Sequence, residues 1–268
     1  MWEALQFGFM QNALLAGVLA SISCGIIGSL IVVNRMVFIS GGIAHAAFGG
    51  IGLAIFLGFS PSLGAALFAL GVSLIMGGVS LKNKHRADTI IGVLWAVGMA
   101  VGIILIDLTP GYHADLMSYL FGSILAVTEM DLCLMSILDG IIFLVILTLY
   151  KEFIAMSYDE EFAFVVGVPV TPLYFALLCL TALSIVIIIR IVGLILVIAL
   201  LTIPPYIAEK YTGSLRKMMI FSAVLGTFFT LTGLAISYYY DLTSGATIIM
   251  VAGVTFLCIE GLDVIKRN

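Results

Sequence analysis

The sequence predicts an all-α protein. It should be a polytopic transmembrane helical bundle of about nine spans (eight if one segment is re-entrant), with its N-terminus outside and its C-terminus cytoplasmic. Three observations carry that prediction. Hydrophobic residues make up 63% of the 268-residue chain and charged residues 10%, so there is more apolar surface than a water-facing domain can hide, and the surplus must face lipid. The few charges fall between apolar runs of about 20 residues, the length a helix needs to cross a ~30 Å hydrocarbon core. Lys and Arg also gather in alternate connections, as the positive-inside rule requires.

In chain order the spans run over 8–33, 37–58, 61–81, 89–108, 130–150, 170–189, 191–208, 217–240 and 245–263. Polar or turn-forming residues separate them. Asn34-Arg35 closes the first, Ser60-Pro61 divides the second from the third, and Lys82-Asn83-Lys84-His85-Arg86 precedes the fourth. Thr109-Pro110-Gly111-Tyr112-His113 follows the fourth, and Lys151-Glu152 and the stretch 157–169 follow the fifth. The last breaks are Lys210–Lys217 and Tyr240–Gly245, while the run 118–127 is short enough for a re-entrant or interfacial helix. With nine crossings, Arg35, the 82–86 cluster, Lys151, Lys210, Arg216, Lys217, Lys266 and Arg267 share one side, and the loops 59–60, 109–116 and 241–244 on the other side carry no Lys or Arg. Arg190 alone disagrees and is expected to snorkel or to pair within the bundle.

Several classes fall away. The spans fill residues 1–268 as one transmembrane domain and leave no room for a separate soluble one. The 11 basic residues form no stripe, which argues against a nucleic-acid surface. No GxxxxGK[ST] loop occurs, so the chain should not itself bind ATP. Cys24, Cys133, Cys179 and Cys258 are widely spaced inside apolar runs, which suits packing rather than disulfides or metal ligation. The opening MWEALQFGF has an acid and no basic stretch, which disfavours a cleaved signal peptide.

Function must then lie where the apolar pattern breaks. His45 stands mid-span inside SGGIAHAAFGG, among Gly41, Gly42, Gly49, Gly50, Gly52 and alanines. A histidine at bilayer depth needs a partner or a metal, and small neighbours leave space beside its ring. The same small residues equally serve close helix packing. Tyr112-His113-Ala114-Asp115 offers imidazole and carboxylate, a donor set for zinc or manganese, although polar loops often carry such residues. Asp107, Glu129 and Asp131 are either an acidic entrance or solvated loop charges.

On the cytoplasmic side, 157–168 reads as a coupling helix and loop. Asp159 resembles an N-cap, Glu160 and Glu161 complement the helix dipole, Phe162, Val165 and Val166 give an apolar side, and Gly167 ends the helix. Its acidic start suits docking to a protein better than an anionic lipid surface. Pro204 and Pro205 in Thr202-Ile203-Pro204-Pro205 should bend or end the seventh span, either beside a cavity or as a plain helix end.

Taken together, FMQNALLAGVLASI, ISGGIAHAAFGGIG, DTIIGVLWAVGMAVGIIL, DLMSYLFGSILAV, SYDEEFAFVVGV, RIVGLILVIALLTIPPYIA and SGATIIMVAG resemble, in that order, the permease subunits of bacterial and archaeal ABC importers for zinc, manganese and iron. The resemblance implies a multi-pass plasma-membrane protein that is not an enzyme, works as a homodimer, and binds no cofactor, the divalent metal ion being its transported substrate. It implies cytoplasmic ABC ATPase subunits docked on the 157–168 loop and an extracytoplasmic metal-binding protein at the outer face. It places His45 and Asp115 on the metal path; His113, beside Asp115, is a further candidate ligand from the sequence itself. The chain departs from the family at Gly41 and Ser123, where many members carry acids. An acid at position 41 would share a helix face with His45, so either another carboxylate or His113 substitutes, or the ion passes with fewer protein ligands, or the cargo differs. The rival reading is an ion-coupled secondary transporter of a metal or other small solute, which should show inverted repeats with charges at midplane; neither a repeat nor a buried acid pair is visible. An intramembrane protease would need paired aspartates or HExxH at depth, and those are missing.

Overall fold

A computed structural model describes residues 6–82, 86–110, 122 and 124–267. Among these, nine helices are long and apolar enough to cross a membrane, matching the expected nine spans. They are α1 (Gly8–Val33), α2 (Val37–Leu57), α3 (Pro61–Lys82), α4 (Ala87–Asp107), α5 (Glu129–Thr148), α8 (Val170–Val192), α9 (Leu194–Tyr211), α10 (Leu215–Tyr240) and α11 (Ser244–Arg267). Two short helices, α6 (Tyr150–Tyr158) and α7 (Glu160–Val165), connect α5 to α8, and a 3-10 turn spans Ile124–Ala126.

Local chemistry sets the ends. Gly58 takes a left-handed φ of 77° after α2, and Phe59 N–H reaches back to Ala54 C=O at 2.9 Å, the glycine-ended closure of a helix. α5 begins at a capping box, in which Asp131 N–H donates to Thr128 Oγ1 and Thr128 N–H donates to Asp131 Oδ2. Each box satisfies two of the four N–H groups a helix start leaves open.

Two helices form the centre. α1 packs on α10, α9 and α5, while α2 packs on α4, α3 and α8. The seam around α2 depends on small residues. An added Cβ would lie 2.3 Å from Gly64 O at Gly50, 2.2 Å from Gly102 O at Gly52, and 2.6 Å from Ile91 Cγ2 at Gly42. Backbones approach this closely only where side chains are absent, which is how helices gain contact in a solvent as apolar as themselves.

The prolines neither end nor break α9, which runs through Pro204 and Pro205 to Tyr211. A proline at 205 cannot donate to Leu201 C=O, and that carbonyl instead faces α1. A Cβ on Gly28 would lie 2.6 Å from Leu201 O and 2.8 Å from Pro205 Cγ. The expectation that the prolines could end the helix is corrected, because the helix continues past both of them, packed against α1.

The two ends of the bundle differ. One end gathers the 34–36 connection, α6, α7 and the α9–α10 turn; there Asn34 Nδ2 donates to Ser157 Oγ at 2.9 Å. Lys210 joins α9 to Glu260 and Asp263 of α11 at this same end. The opposite end holds the 58–60 turn, the Ile124–Ala126 turn and the α8–α9 join at Gly193. Arg190 lies there and is paired, its guanidinium 3.5 Å from Asp131 Oδ1. The expectation that it pairs within the bundle therefore holds, and Asp131 is a buried cap and counter-ion rather than a solvated loop charge.

Candidate functional site

α2 positions His45. The helix presents Ala44, Ala46 and Ala47 to its neighbours, all buried, and leaves the imidazole half-buried on a separate face. The ring Nδ1 lies 2.9 Å from Gly41 C=O, one turn earlier. A carbonyl only accepts, so Nδ1 carries the proton and Nε2 keeps its lone pair, the ligating form of a neutral imidazole. The indole of Trp95 on α4 lies against the ring, with centroids 4.0 Å apart and planes 30° apart. Phe38 packs on the same indole at 6.1 Å.

Gly41 differs from the other small residues of α2 just described. An added Cβ there would meet nothing within 4 Å, so packing does not require glycine and the space beside it is open. The open space at Gly41 and the His45 imidazole thus share one helix face, since residues four apart lie one above the other. Among the described residues no three His, Cys, Asp or Glu side chains come together as a metal cluster. His113, Asp115 and Ser123 lie outside the described residues.

Two cavities flank α2. One of about 330 Å³ lies toward the Arg190 end, lined by Ala44, Ala47, Phe48, Ser60, Ala65 and Arg190. The other, about 600 Å³, opens at the opposite end between α2, α4, α6 and α8, lined among others by Arg35, Phe38, Asp88, Met156, Glu160 and Tyr174. Phe38, which touches Trp95, also lines this second cleft, so it comes within seven residues of His45 along α2, roughly 10 Å of helix.

The 157–168 region forms as the residues direct. Asp159 caps α7 by accepting from Phe162 N–H at 2.9 Å. Gly167 takes φ 88°, and Val168 N–H closes the turn on Ala163 C=O at 2.9 Å. Ala163 is buried, while Phe162, Phe164, Val165 and Val166 are exposed. Glu160 faces the 600 Å³ cleft, and Glu161 is exposed. The preceding helix α6 extends the connection further than the sequence indicates.

Two features escape a reading of loops and motifs. Trp95 sits in an apolar run where nothing marks it. Asp139, at the middle of α5, accepts from Ser23 Oγ of α1. Its own signal was available, because an acid inside a membrane span is costly and usually functional or paired.

The helices and this face define a class: a multi-pass membrane protein organised around a small-residue helix that carries an intramembrane histidine. Residues 6–260 match the model of the ABC 3 transport family. The chain is 53% identical over 257 residues to an uncharacterised membrane protein of Synechocystis, covering 96% of this chain and 92% of that protein. It is 34% identical to the manganese transport system membrane protein MntC of Listeria innocua, covering 94% and 90%. Among solved structures, PsaBC from Streptococcus pneumoniae in complex with Fab is similar, with a TM-score of 0.85 and 32% identity over 96% of this chain and 92% of that one. An inward-facing metal-chelate type ABC transporter shares the fold, with a TM-score of 0.72 at 20% identity over 96% and 86%. The chain belongs to the ABC 3 transport family.

Proposed function

We propose that this chain is the permease subunit of an ATP-driven importer for a divalent transition-metal ion, zinc, manganese or iron. The observation that carries the reading is His45, whose Nδ1 bond to Gly41 C=O leaves Nε2 as the ligating nitrogen of the neutral ring, one turn from the open space at Gly41 on the helix at the centre of the α2–α4–α8 half. The similarity to MntC of Listeria innocua and to PsaBC supports a metal cargo, and manganese is the ion named among those relatives.

Two copies form the conduit, and a separate ATPase drives it. The ATPase docks at the end carrying α7, where Phe162, Phe164, Val165 and Val166 present apolar surface that a lone subunit leaves uncovered. Asp159, Glu160, Glu161 and Gly167 shape that contact. The described Lys and Arg residues other than Arg190 lie toward this end, which makes it cytoplasmic by the positive-inside rule, with the N-terminus outside and the C-terminus inside. The opposite face receives the ion from an extracytoplasmic binding protein.

In this mechanism His45 supplies one transient bond. Gly41 adds no carboxylate, so the remaining coordination positions keep water or are completed by His113, Asp115 or the second copy. Weak, shared coordination suits conduction, because a tightly caged ion would not leave. The test is Mn²⁺ uptake by the permease reconstituted with its ATPase. His45→Ala should abolish ATP-dependent uptake while assembly persists, and undiminished uptake would remove His45 from the path.

A further inference from the structure

We propose that Trp95 is a positioning residue that holds the His45 imidazole in its ligand-presenting orientation. The inference rests on the reading of His45 as a ligand on the cation path.

An imidazole on a helix turns about two side-chain bonds. Its bond to Gly41 C=O selects the tautomer, but it is one contact within one helix and restrains only Nδ1. The second restraint is the indole face at 4.0 Å and 30°. It comes from another helix, so it fixes the ring against the bundle rather than against its own backbone. Ring orientation set by a neighbour outside the coordination shell is the usual way a histidine ligand is kept ready.

Trp95 is itself well placed for this task. One turn further along α4, a Cβ on Gly98 would lie 2.9 Å from Ala46 Cα, and a Cβ on Gly102 would lie 2.4 Å from Phe48 O. These backbone contacts lock α4 against α2 in one register, beside His45 in sequence, and so deliver the indole to the imidazole. Phe38 braces the indole from α2 at 6.1 Å. An indole face also attracts positive charge. Metal ligation leaves the imidazole more positive, so the stack strengthens when Nε2 engages a cation. The neighbouring space at Gly41 stays open. The arrangement therefore orients the ligand without filling the room that the cation and its waters need.

The test uses the permease reconstituted with its ATPase in a Trp2→Phe background, which leaves Trp95 as the single tryptophan of the two in the chain. Mn²⁺, a paramagnetic quencher, is the probe. Trp95 emission should fall saturably with Mn²⁺, and His45→Ala should remove that response. Trp95→Leu should raise the Mn²⁺ concentration for half-maximal uptake about tenfold, the usual effect of losing a ligand's supporting partner, with the maximal rate little changed. Trp95→Phe, which keeps a ring, should restore the wild-type value. Emission indifferent to Mn²⁺, or an unshifted half-maximal concentration in Trp95→Leu, overturns the positioning role while loss of uptake in His45→Ala leaves the ligand role standing. Full uptake in His45→Ala overturns the underlying reading instead. Should Trp95→Leu fail to assemble, the quenching measurement on the native indole decides alone.

Discussion

Ser23 of α1 donates its hydroxyl to Asp139 of α5 at the middle of the membrane-spanning region. The other carboxyl oxygen of Asp139 is buried without a partner among the described residues. α1 itself carries no charged residue over its 26 positions, so this bond ties an uncharged helix to the mid-span acid of its neighbour. Interhelical bonds of this kind contribute about 1 kcal/mol in a membrane. Ser23→Ala alone should lower the melting temperature in detergent, because it leaves both carboxyl oxygens buried and unmet. Asp139→Asn, which keeps an acceptor for Ser23, should cost less. The double change Ser23→Ala with Asp139→Leu should regain much of the loss, since removing both partners is cheaper than orphaning one. A double variant as unstable as the sum of the two singles would show that the contact is not a coupled pair.

Asp131 and Arg190 make a different tie, joining α5 and α8 at 3.5 Å at the end of the bundle away from α7. Asp131 does more than pair, since it also completes the capping box with Thr128. The two partners should therefore respond unequally. Asp131→Ala removes the side-chain half of the capping box and a counter-ion together, orphaning the Thr128 N–H, and should destabilise by about 1–2 kcal/mol. Arg190→Ala should cost under about 1 kcal/mol, because its side chain is 55% exposed and solvent screens such pairs. Thermal unfolding of the two variants in one detergent checks the order, and an equal loss in both would put the stability in the ion pair instead.

These residues also mark how far sequence reaches. The helices α1 to α4 and their order were legible because apolar length is a direct physical requirement of the bilayer, and the Asp159 cap and Gly167 terminus were legible because their chemistry is local. The partner of Arg190 was not, since Asp131 lies 59 positions away and only the packing of α5 on α8 brings them together. Pro204 and Pro205 misled for the same reason, because the helix is held by contacts with α1 that no local rule contains. In the candidate site His45 was legible from its depth, whereas the indole of Trp95 comes from a second helix and the open space at Gly41 depends on what fails to pack there.

The glycines of α2 separate folding from conduction. A Cβ at position 52 would lie 2.2 Å from Gly102 O, and neither backbone can yield without shifting a helix. Gly52→Ala should therefore cost about 1–3 kcal/mol and reduce the amount of assembled protein recovered in detergent. Gly41→Ala meets nothing within 4 Å and should assemble normally, even gaining slightly from helix propensity. Gly41→Asp should also assemble, and under the metal-importer reading it should tighten Mn²⁺ binding while slowing turnover, because a carboxylate then shares the face of His45. Equal assembly of Gly52→Ala and Gly41→Ala, measured by size-exclusion chromatography, would contradict the packing account.

The α7 helix tests the coupling proposal most directly. Its exposed Phe164 and Val165, at 74% and 80% exposure, contribute little to the isolated subunit, so changing them should leave its stability within about 0.5 kcal/mol of wild type. Docked on an ATPase, the same side chains would be buried, and placing a charge there would strand it in an apolar contact. Phe164→Asp should thus weaken co-purification with the ATPase by an order of magnitude or more, given that a buried aromatic anchor contributes about 2 kcal/mol or more at an interface. Gly167→Val acts differently. It strains a residue held at φ 88°, a conformation that β-branched side chains resist, and should permit docking while lowering the number of ions moved per ATP hydrolysed. If Phe164→Asp still binds the ATPase fully and Gly167→Val still transports at the wild-type ratio, the motor engages the permease elsewhere.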